Sequence, residues 1–185
     1  PEEIIYAAGI LPVRILGALE ATSLANAYLP TNMCSFARSC FDSALKGHYD
    51  YLDGLVMSNS CDNCGKMYDL WRYHVKIPYI HFINTPHTNT EKTRNFFYQE
   101  VVRFKESLEK NFGTLITDES LRNAINAYNE DRVLLKKVYD LRKADPPLIS
   151  GVEALEIVLS SMLTPKEEHV KLLKQLLDEA PNRTD

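Results

Sequence analysis

Between residues 11 and 83, short apolar runs alternate with stretches whose apolar residues recur at helical spacing. The runs 11–16 (LPVRIL), 52–57 (LDGLVM) and 78–83 (PYIHFI) are brief and nearly continuous, as expected of strands covered on both faces. Stretches 36–45 and 65–75 lie between them and carry the helical period. Strand, helix, strand, helix, strand is the order of a parallel sheet whose crossovers lay helices on its faces. The sequence therefore predicts an α/β domain of Rossmann or flavodoxin-like type over residues 1–89, with a parallel sheet flanked by helices.

From residue 90 the pattern becomes mainly helical, and 90–185 reads as a helical segment. Phe97, Val101, Phe104 and Leu108 mark one helix that Gly113 stops; Leu121, Ile125, Tyr128, Leu135 and Tyr139 mark a second, opened near Thr117 and closed at Asp145, Pro146 and Pro147. A third series runs through Leu155, Val158, Leu159 and Met162. Thr164, Pro165 and Glu167 then read as N-cap, first-turn proline and capping-box acid of a last helix with Val170, Leu173 and Leu177. Ser150 and Gly151 read as a turn and helix cap. The opening PEEIIYA reads as a helical first turn without its capping residue, so the sequence is expected to continue upstream. The polar tail 180–185, with Pro181, reads as a frayed end or the start of a linker to a further segment.

A hydrophobic share of 45% over 185 residues can fill a core of this kind. The formal charge of −4, with no Lys/Arg run, gives no footprint for a nucleic-acid backbone. No stretch approaches the roughly 18 apolar residues of a membrane span, and no leader opens the chain. The expectation is a cytoplasmic protein with neither nucleic acid nor membrane as partner.

All four cysteines, Cys34, Cys40, Cys61 and Cys64, fall within residues 34–64. In a chain without a secretory leader, clustered thiols point to metal binding or redox chemistry. Cys61 and Cys64 follow the second apolar run, where an open parallel sheet gathers its functional residues. Cys34 precedes a helix whose N-terminus favours a thiolate. Cys40, between Ser39 and Phe41, reads as a packing residue. Cys61 and Cys64 form a CxxC pair, which is also half of a zinc site or a redox pair. A four-cysteine zinc knuckle shows two such pairs, and the other two thiols here do not form one.

The strings PEEIIYAAGILPVRILG, YLPTNMCSFARS and GHYDYLDGLVMSNSCDNCGKMYDLWR, with AYNEDRVLLKKVYDLR and PPLISGVEAL further on, resemble the opening half of the 2-hydroxyacyl-CoA dehydratase and benzoyl-CoA reductase subunits. The likeness spans essentially the whole chain. It implies a 4Fe-4S cluster held by three cysteines, two of which match Cys34 and Cys61; the third belongs to a second half absent here. Cys40 and Cys64 do not match ligand positions, although the nearness of Cys64 to Cys61 keeps a larger cluster open, as in the related double-cubane proteins. With two of three ligands, this stretch alone is expected to bind a cluster weakly or not at all.

The resemblance implies a radical dehydration. The β-proton of a 2-hydroxyacyl thioester is barely acidic, and one low-potential electron turns the carbonyl into a ketyl radical anion that expels the 2-hydroxyl. It also implies an acyl-CoA substrate, a second homologous subunit and a separate ATP-hydrolysing activator; no GxxxxGK phosphate loop occurs here. Benzoyl-CoA ring reduction, a double-cubane electron-transfer protein and a zinc-stabilised interaction module stand as alternatives.

Among other polar residues, Ser60 and Asp62 flank Cys61, with a helix cap the simpler role for Asp62. Ser60, His87, after the third run, and Glu20 are weak catalytic candidates, and Arg38 is a candidate for a cluster or phosphate contact or a solvated arginine. Trp71, Tyr68 and Tyr73 read as packing groups.

Overall fold

The structure, a computed structural model, describes residues 1–182; residues 183–185, the end of the polar tail, lie outside the described residues. It is mixed α/β and mostly helical. The elements are α1 (Glu2–Ala7), α2 (Ser35–Leu45), β1 (Gly54–Ser58), α3 (Asp62–His74), β2 (Tyr79–Ile83), α4 (Glu91–Phe112), α5 (Asp118–Leu141), α6 (Gly151–Ser161) and α7 (Lys166–Glu179), with single 3-10 turns at Ala25–Ala27 and Ala180–Asn182. The chain divides into two compact units. One holds residues 15–111, and the other holds 1–14 together with the described residues from 112 on. The boundary read from sequence at 89/90 falls inside the first, between β2 and α4.

In the sheet-bearing unit, β1 and β2 pair in parallel, Gly54 opposite Tyr79 through Ser58 opposite Ile83. A Cβ on Gly54 would meet the Tyr79 ring at 2.8 Å, so the residue keeps the two strands close. Side chains of β2 alternate faces, as a strand requires. Tyr79 and His81 meet α4, the Tyr79 hydroxyl bonding Ser107 at 3.1 Å and the His81 ring lying 5.0 Å from Phe104. Phe82 meets Tyr68 of α3, and Ile80 packs with Leu55, Phe41, Met67 and Trp71 in the core that α2 and α3 close. Tyr73, read as a packing group, is instead exposed.

The run 11–16 is not a strand. Pro12 has no amide to donate, and the backbone beyond it is bonded elsewhere: Arg14 N–H donates to the Met162 carbonyl at 3.0 Å, and the Leu16 carbonyl accepts from the Tyr49 hydroxyl. Ser39 then clamps Ala18, its Oγ accepting from the amide at 2.9 Å and donating to the carbonyl at 2.7 Å. The run is therefore a strapped segment, and the sheet among the described residues has two strands.

In the helical unit, α5 packs against α1, α6 and α7. Its buried stripe is Ala124, Tyr128, Asp131, Leu134 and Val138, so Ile125 and Tyr139, expected inside, are exposed. The stripe rotates because it includes a charged residue. Asp131 is buried with Lys166 and His169 of α7, accepting from Lys166 Nζ at 3.1 Å and bonding the His169 ring. Thr117 caps α5, and Ser150 with Glu153 forms a reciprocal capping box on α6. At α7 the capping position is Pro165, one residue later than expected, with no side-chain cap bond; Glu167 bonds the Tyr6 hydroxyl instead of returning to a cap.

Candidate functional site

Because β1 and β2 run parallel and end in register at Ser58 and Ile83, the loops that leave them emerge side by side. The first carries Asn59, Ser60 and Cys61; the second carries Asn84, Thr85 and His87. Asn59 joins them, its Oδ1 accepting from the Thr85 amide at 2.6 Å and the Thr85 hydroxyl at 2.7 Å. The second loop is fixed in turn by Glu100 of α4, a carboxylate only 4% exposed. Its Oε2 accepts from the Asn84 amide at 3.0 Å and from Asn84 Nδ2 at 2.9 Å. The amide bond, helped by the nearby charge of Arg103, holds this carboxyl below the usual glutamate range despite burial.

On that platform lies an open cleft lined by Asn59, Cys61, Asp62, Gly65, Lys66, Asp69 and His87, with a volume of about 470 Å³. A Cβ on Gly65 would meet nothing within 4 Å, so glycine there leaves one wall open. Lys66 pairs with Asp62 at 2.7 Å across one turn of α3. Asp62 is thus the first helical residue and an ion-pair partner, while the N-cap position belongs to Cys61.

Cys34 and Cys61 occupy equivalent local positions. Cys34 is the N-cap residue of α2 and Cys61 that of α3, and both are exposed free thiols. Cys61 Sγ lies 3.5 Å from Cys64 Sγ, and Ser60 Oγ donates to Cys64 Sγ at 3.4 Å. Hydrogen bonding from the Cys64 amide, and then from its thiol, draws the Cys61 thiol below its usual range. Cys40 is buried on α2. Burial, with smaller contributions from the Cys34 and Cys64 sulfurs, pushes its thiol up to about 11. Helices α2 and α3 pack together, and Cys34, Cys40 and Cys64 therefore share one electrostatic neighbourhood.

The other sequence-derived candidates are placed differently. His87 is exposed and lines the cleft beside Cys61. Glu20 does not line it and instead pairs with Lys46 at 2.8 Å, the lysine that also holds Asp42. Arg38 is committed to the loop before α2, donating to the Thr31 carbonyl at 3.3 Å and to Thr22 Oγ1 at 3.2 Å, with a further bond to Asn26. Sequence reasoning passed over Asn59, Gly65, Lys66, Asp69 and Glu100. Glu100 left a signal, being an acid on the same helical stripe as Phe97, Phe104 and Leu108; Asn59 left none beyond its place after a strand.

Exposed thiols at two helix N-termini have the donor chemistry that metal thiolates need. The described residues hold no group of three or more His, Cys, Asp or Glu suited to one ion. No helix among the described residues is long and apolar enough to cross a membrane.

The chain as a whole has relatives among known proteins. Residues 1–185 match the family model described as 2-hydroxyglutaryl-CoA dehydratase, D-component. The chain is 32% identical over 180 residues to the (R)-phenyllactyl-CoA dehydratase beta subunit of Clostridium sporogenes, covering 97% of this chain and 48% of that one. It is 31% identical over 180 residues to the beta subunit of lactoyl-CoA dehydratase from Anaerotignum propionicum, covering 97% and 48%. With a benzoyl-CoA reductase subunit of Thauera aromatica it shares 30% identity over 180 residues, covering 96% and 47%. The chain spans about half the length of the curated relatives it matches, and each of these relatives is named as a subunit.

Proposed function

Because the chain belongs to the 2-hydroxyglutaryl-CoA dehydratase, D-component family, we propose that it supplies about half of an iron-sulfur subunit that dehydrates a 2-hydroxyacyl-CoA. The observation that carries this reading is a family match over the whole chain, in which Cys34 and Cys61 are exposed N-cap thiols. Cys34 and Cys61 hold a 4Fe-4S cluster, with the third protein ligand supplied by the remainder of the longer protein. The cluster supplies, when bound, low-potential one-electron transfer and Lewis acidity.

The chain's own residues do the positioning. Cys34 and Cys61 present their sulfurs from two helix N-termini. Asn59 and Glu100 keep the Cys61 loop and the His87 loop together. Gly65 leaves room beside Cys61 for part of an acyl-CoA, with Ser60 and His87 as the nearby proton-bearing groups and Lys66 as a cation for its anionic portion. Glu20 is tied to Lys46 and has no part in this arrangement. The two-stranded sheet is the start of a flavodoxin-like sheet completed by strands from outside residues 1–185. A second, homologous subunit and an ATP-hydrolysing activator complete the enzyme, which works anaerobically in the cytoplasm.

Identity with the benzoyl-CoA reductase relative supports a second reading, in which the electron reduces an aromatic ring. The complete protein, reconstituted anaerobically with iron and sulfide, decides between them. Turnover of a 2-hydroxyacyl-CoA in the presence of the activator supports dehydration, and turnover of benzoyl-CoA alone replaces it with ring reduction. Cys34→Ser and Cys61→Ser should each lose most bound iron and sulfide. If both variants retain full iron, these cysteines are not the ligands.

A further inference from the structure

Cys64 matches no ligand position in the resemblance, yet its sulfur is 3.5 Å from Cys61 Sγ. The two residues open α3, Cys61 as the N-cap and Cys64 nearly one turn on, and the Cys64 amide bonds the Cys61 carbonyl at 3.0 Å. The backbone between them is thus already fixed. A disulfide requires sulfurs about 2.0 Å apart, so a movement of roughly 1.5 Å, within reach of side-chain rotation, would join them. Accessibility also differs between the two: Cys61 is exposed and Cys64 half-buried. Cys40, by contrast, is buried at 6% exposure.

We propose that Cys61 and Cys64 form a thiol–disulfide exchange site that reacts with low-molecular-weight disulfides of the glutathione class. The exposed Cys61 sulfur attacks one sulfur of the small disulfide, breaking its S–S bond, forming a mixed disulfide and releasing one thiolate. Cys64 then attacks the Cys61 sulfur, its proton passing to a released thiolate. The mixed bond breaks and the second small thiol departs. The protein loses two protons and two electrons, and the small disulfide gains both as two thiols. Ser60, whose hydroxyl already donates to Cys64 Sγ, steadies the resolving sulfur.

One consequence rests on the proposed ligand role of Cys61: the disulfide withdraws that sulfur from metal binding, so an oxidising environment closes the site reversibly until thiols reopen it. Cys64 is then kept beside a ligand position because it resolves the mixed disulfide.

The test uses the complete longer protein to which this chain belongs, purified anaerobically and freed of metal with a chelator. Oxidised glutathione is added, the reaction is quenched with acid, and remaining thiols are alkylated under denaturing conditions before peptide mapping. The expected product is a Cys61–Cys64 linked peptide, two hydrogens lighter than its reduced form, with Cys34 and Cys40 alkylated. Cys64→Ser should instead stop at a glutathione adduct on Cys61, and Cys40→Ser should leave the linked peptide unchanged. A glutathione adduct persisting on Cys61 in the unsubstituted protein, or a bond from Cys61 to Cys34 or Cys40, overturns the proposal. A parallel arm adds iron and sulfide to the oxidised protein, with and without dithiothreitol. Loss of iron uptake that dithiothreitol restores supports the closing role. If the linked peptide forms and uptake is unchanged, the exchange site stands and the ligand reading of Cys61 falls.

Discussion

The two units handle buried charge in opposite ways. In the helical unit, Asp131, Lys166 and His169 are all buried, and Asp131 bonds both of the others: Lys166 reaches Asp131 and the Ser161 carbonyl, and His169 Nε2 meets Ser160 Oγ at 3.1 Å and the Ile157 carbonyl at 3.2 Å. Ser160, His169 and Asp131 are the residue types of a nucleophilic relay, but the Ser160 hydroxyl donates to the Ile157 carbonyl at 2.8 Å, so the set is directed at the backbone. In the sheet-bearing unit the buried charge of Glu100 is directed at a loop that ends in an open cleft and exposed thiols. One network closes a helix bundle; the other holds a reactive edge in place. A polar group inside a fold must be satisfied in either case, and what differs is whether the satisfied backbone belongs to a helix end or to a loop bearing chemistry.

The largest effect should come from the closed network. Burial alone would raise the Asp131 carboxyl, but the bond from His169 and the charge of Lys166 hold it below its usual range. Asp131→Ala leaves Lys166 buried without its counter-charge, and breaking one side of a buried pair costs about 3–5 kcal/mol. Urea unfolding should show that loss. A change below about 1 kcal/mol would mean that Lys166 escapes to solvent and that the contrast between the units is weaker than drawn.

Glu100 supplies the next effect and a pH dependence. Its folded-state value is lowered, chiefly by the Asn84 amide, so the unfolded chain takes up the proton more readily. The stability it contributes is complete above the ordinary glutamate range and disappears as pH falls through the lowered value. Hydrogen bonds to a charged group are worth about 1.5–3 kcal/mol. Glu100→Gln should reduce stability at neutral pH by an amount of that order and flatten its acid dependence, measured by urea unfolding from neutral into the acid range. An unchanged acid slope would assign that dependence to other carboxylates.

The two strands beneath the site were legible in the sequence because they follow from period and punctuation. The runs 52–57 and 78–83 became β1 and β2 within two residues at either end, and their parallel pairing put Cys61 and His87 on adjacent loops. The run 11–16 looked equally strand-like, yet an apolar run says nothing about whether a partner strand is available, and Pro12 removed a donor from any ladder. The buried stripe of α5 lies about one residue from the expected one because it includes Asp131, which an apolar period does not mark; a charge becomes a core residue only when distant partners, here Lys166 and His169, bond it. The Cys61–Cys64 approach followed from local helical geometry, whereas the Asn59–Thr85 bond joins residues 26 apart, and no local pattern announces it.

The cap on α6 provides a smaller and purely local effect. Ser150 accepts from the Glu153 amide at 3.2 Å while Glu153 bonds back to the Ser150 amide at 2.7 Å. Ser150→Ala should cost about 1 kcal/mol in urea unfolding and leave Cys61 alkylation in the folded protein unchanged. Faster Cys61 alkylation in this variant would show that stability lost in the helical unit reaches the thiols, against the division of labour drawn above.

Asn59→Ala should have the smallest effect on stability and the most telling one on the site. Its Oδ1 accepts two hydrogen bonds from Thr85, but both groups are only part-buried, so water can replace the lost acceptor and the net cost is about 0.5–1 kcal/mol. What water cannot replace is the tie between the β1 and β2 loops. Freed from it, the Asn59–Cys61 segment should sample more positions, and Cys61 should react with iodoacetamide several-fold faster while Cys40 stays protected by burial. Asn59→Asp tests the same tie differently: a carboxylate still accepts from the Thr85 amide and hydroxyl, so it should restore slow alkylation. Were Asn59→Ala to lower stability as much as Glu100→Gln and leave Cys61 reactivity untouched, Asn59 would be a fold-holding residue like Asp131, and the reactive edge would be held by Glu100 alone.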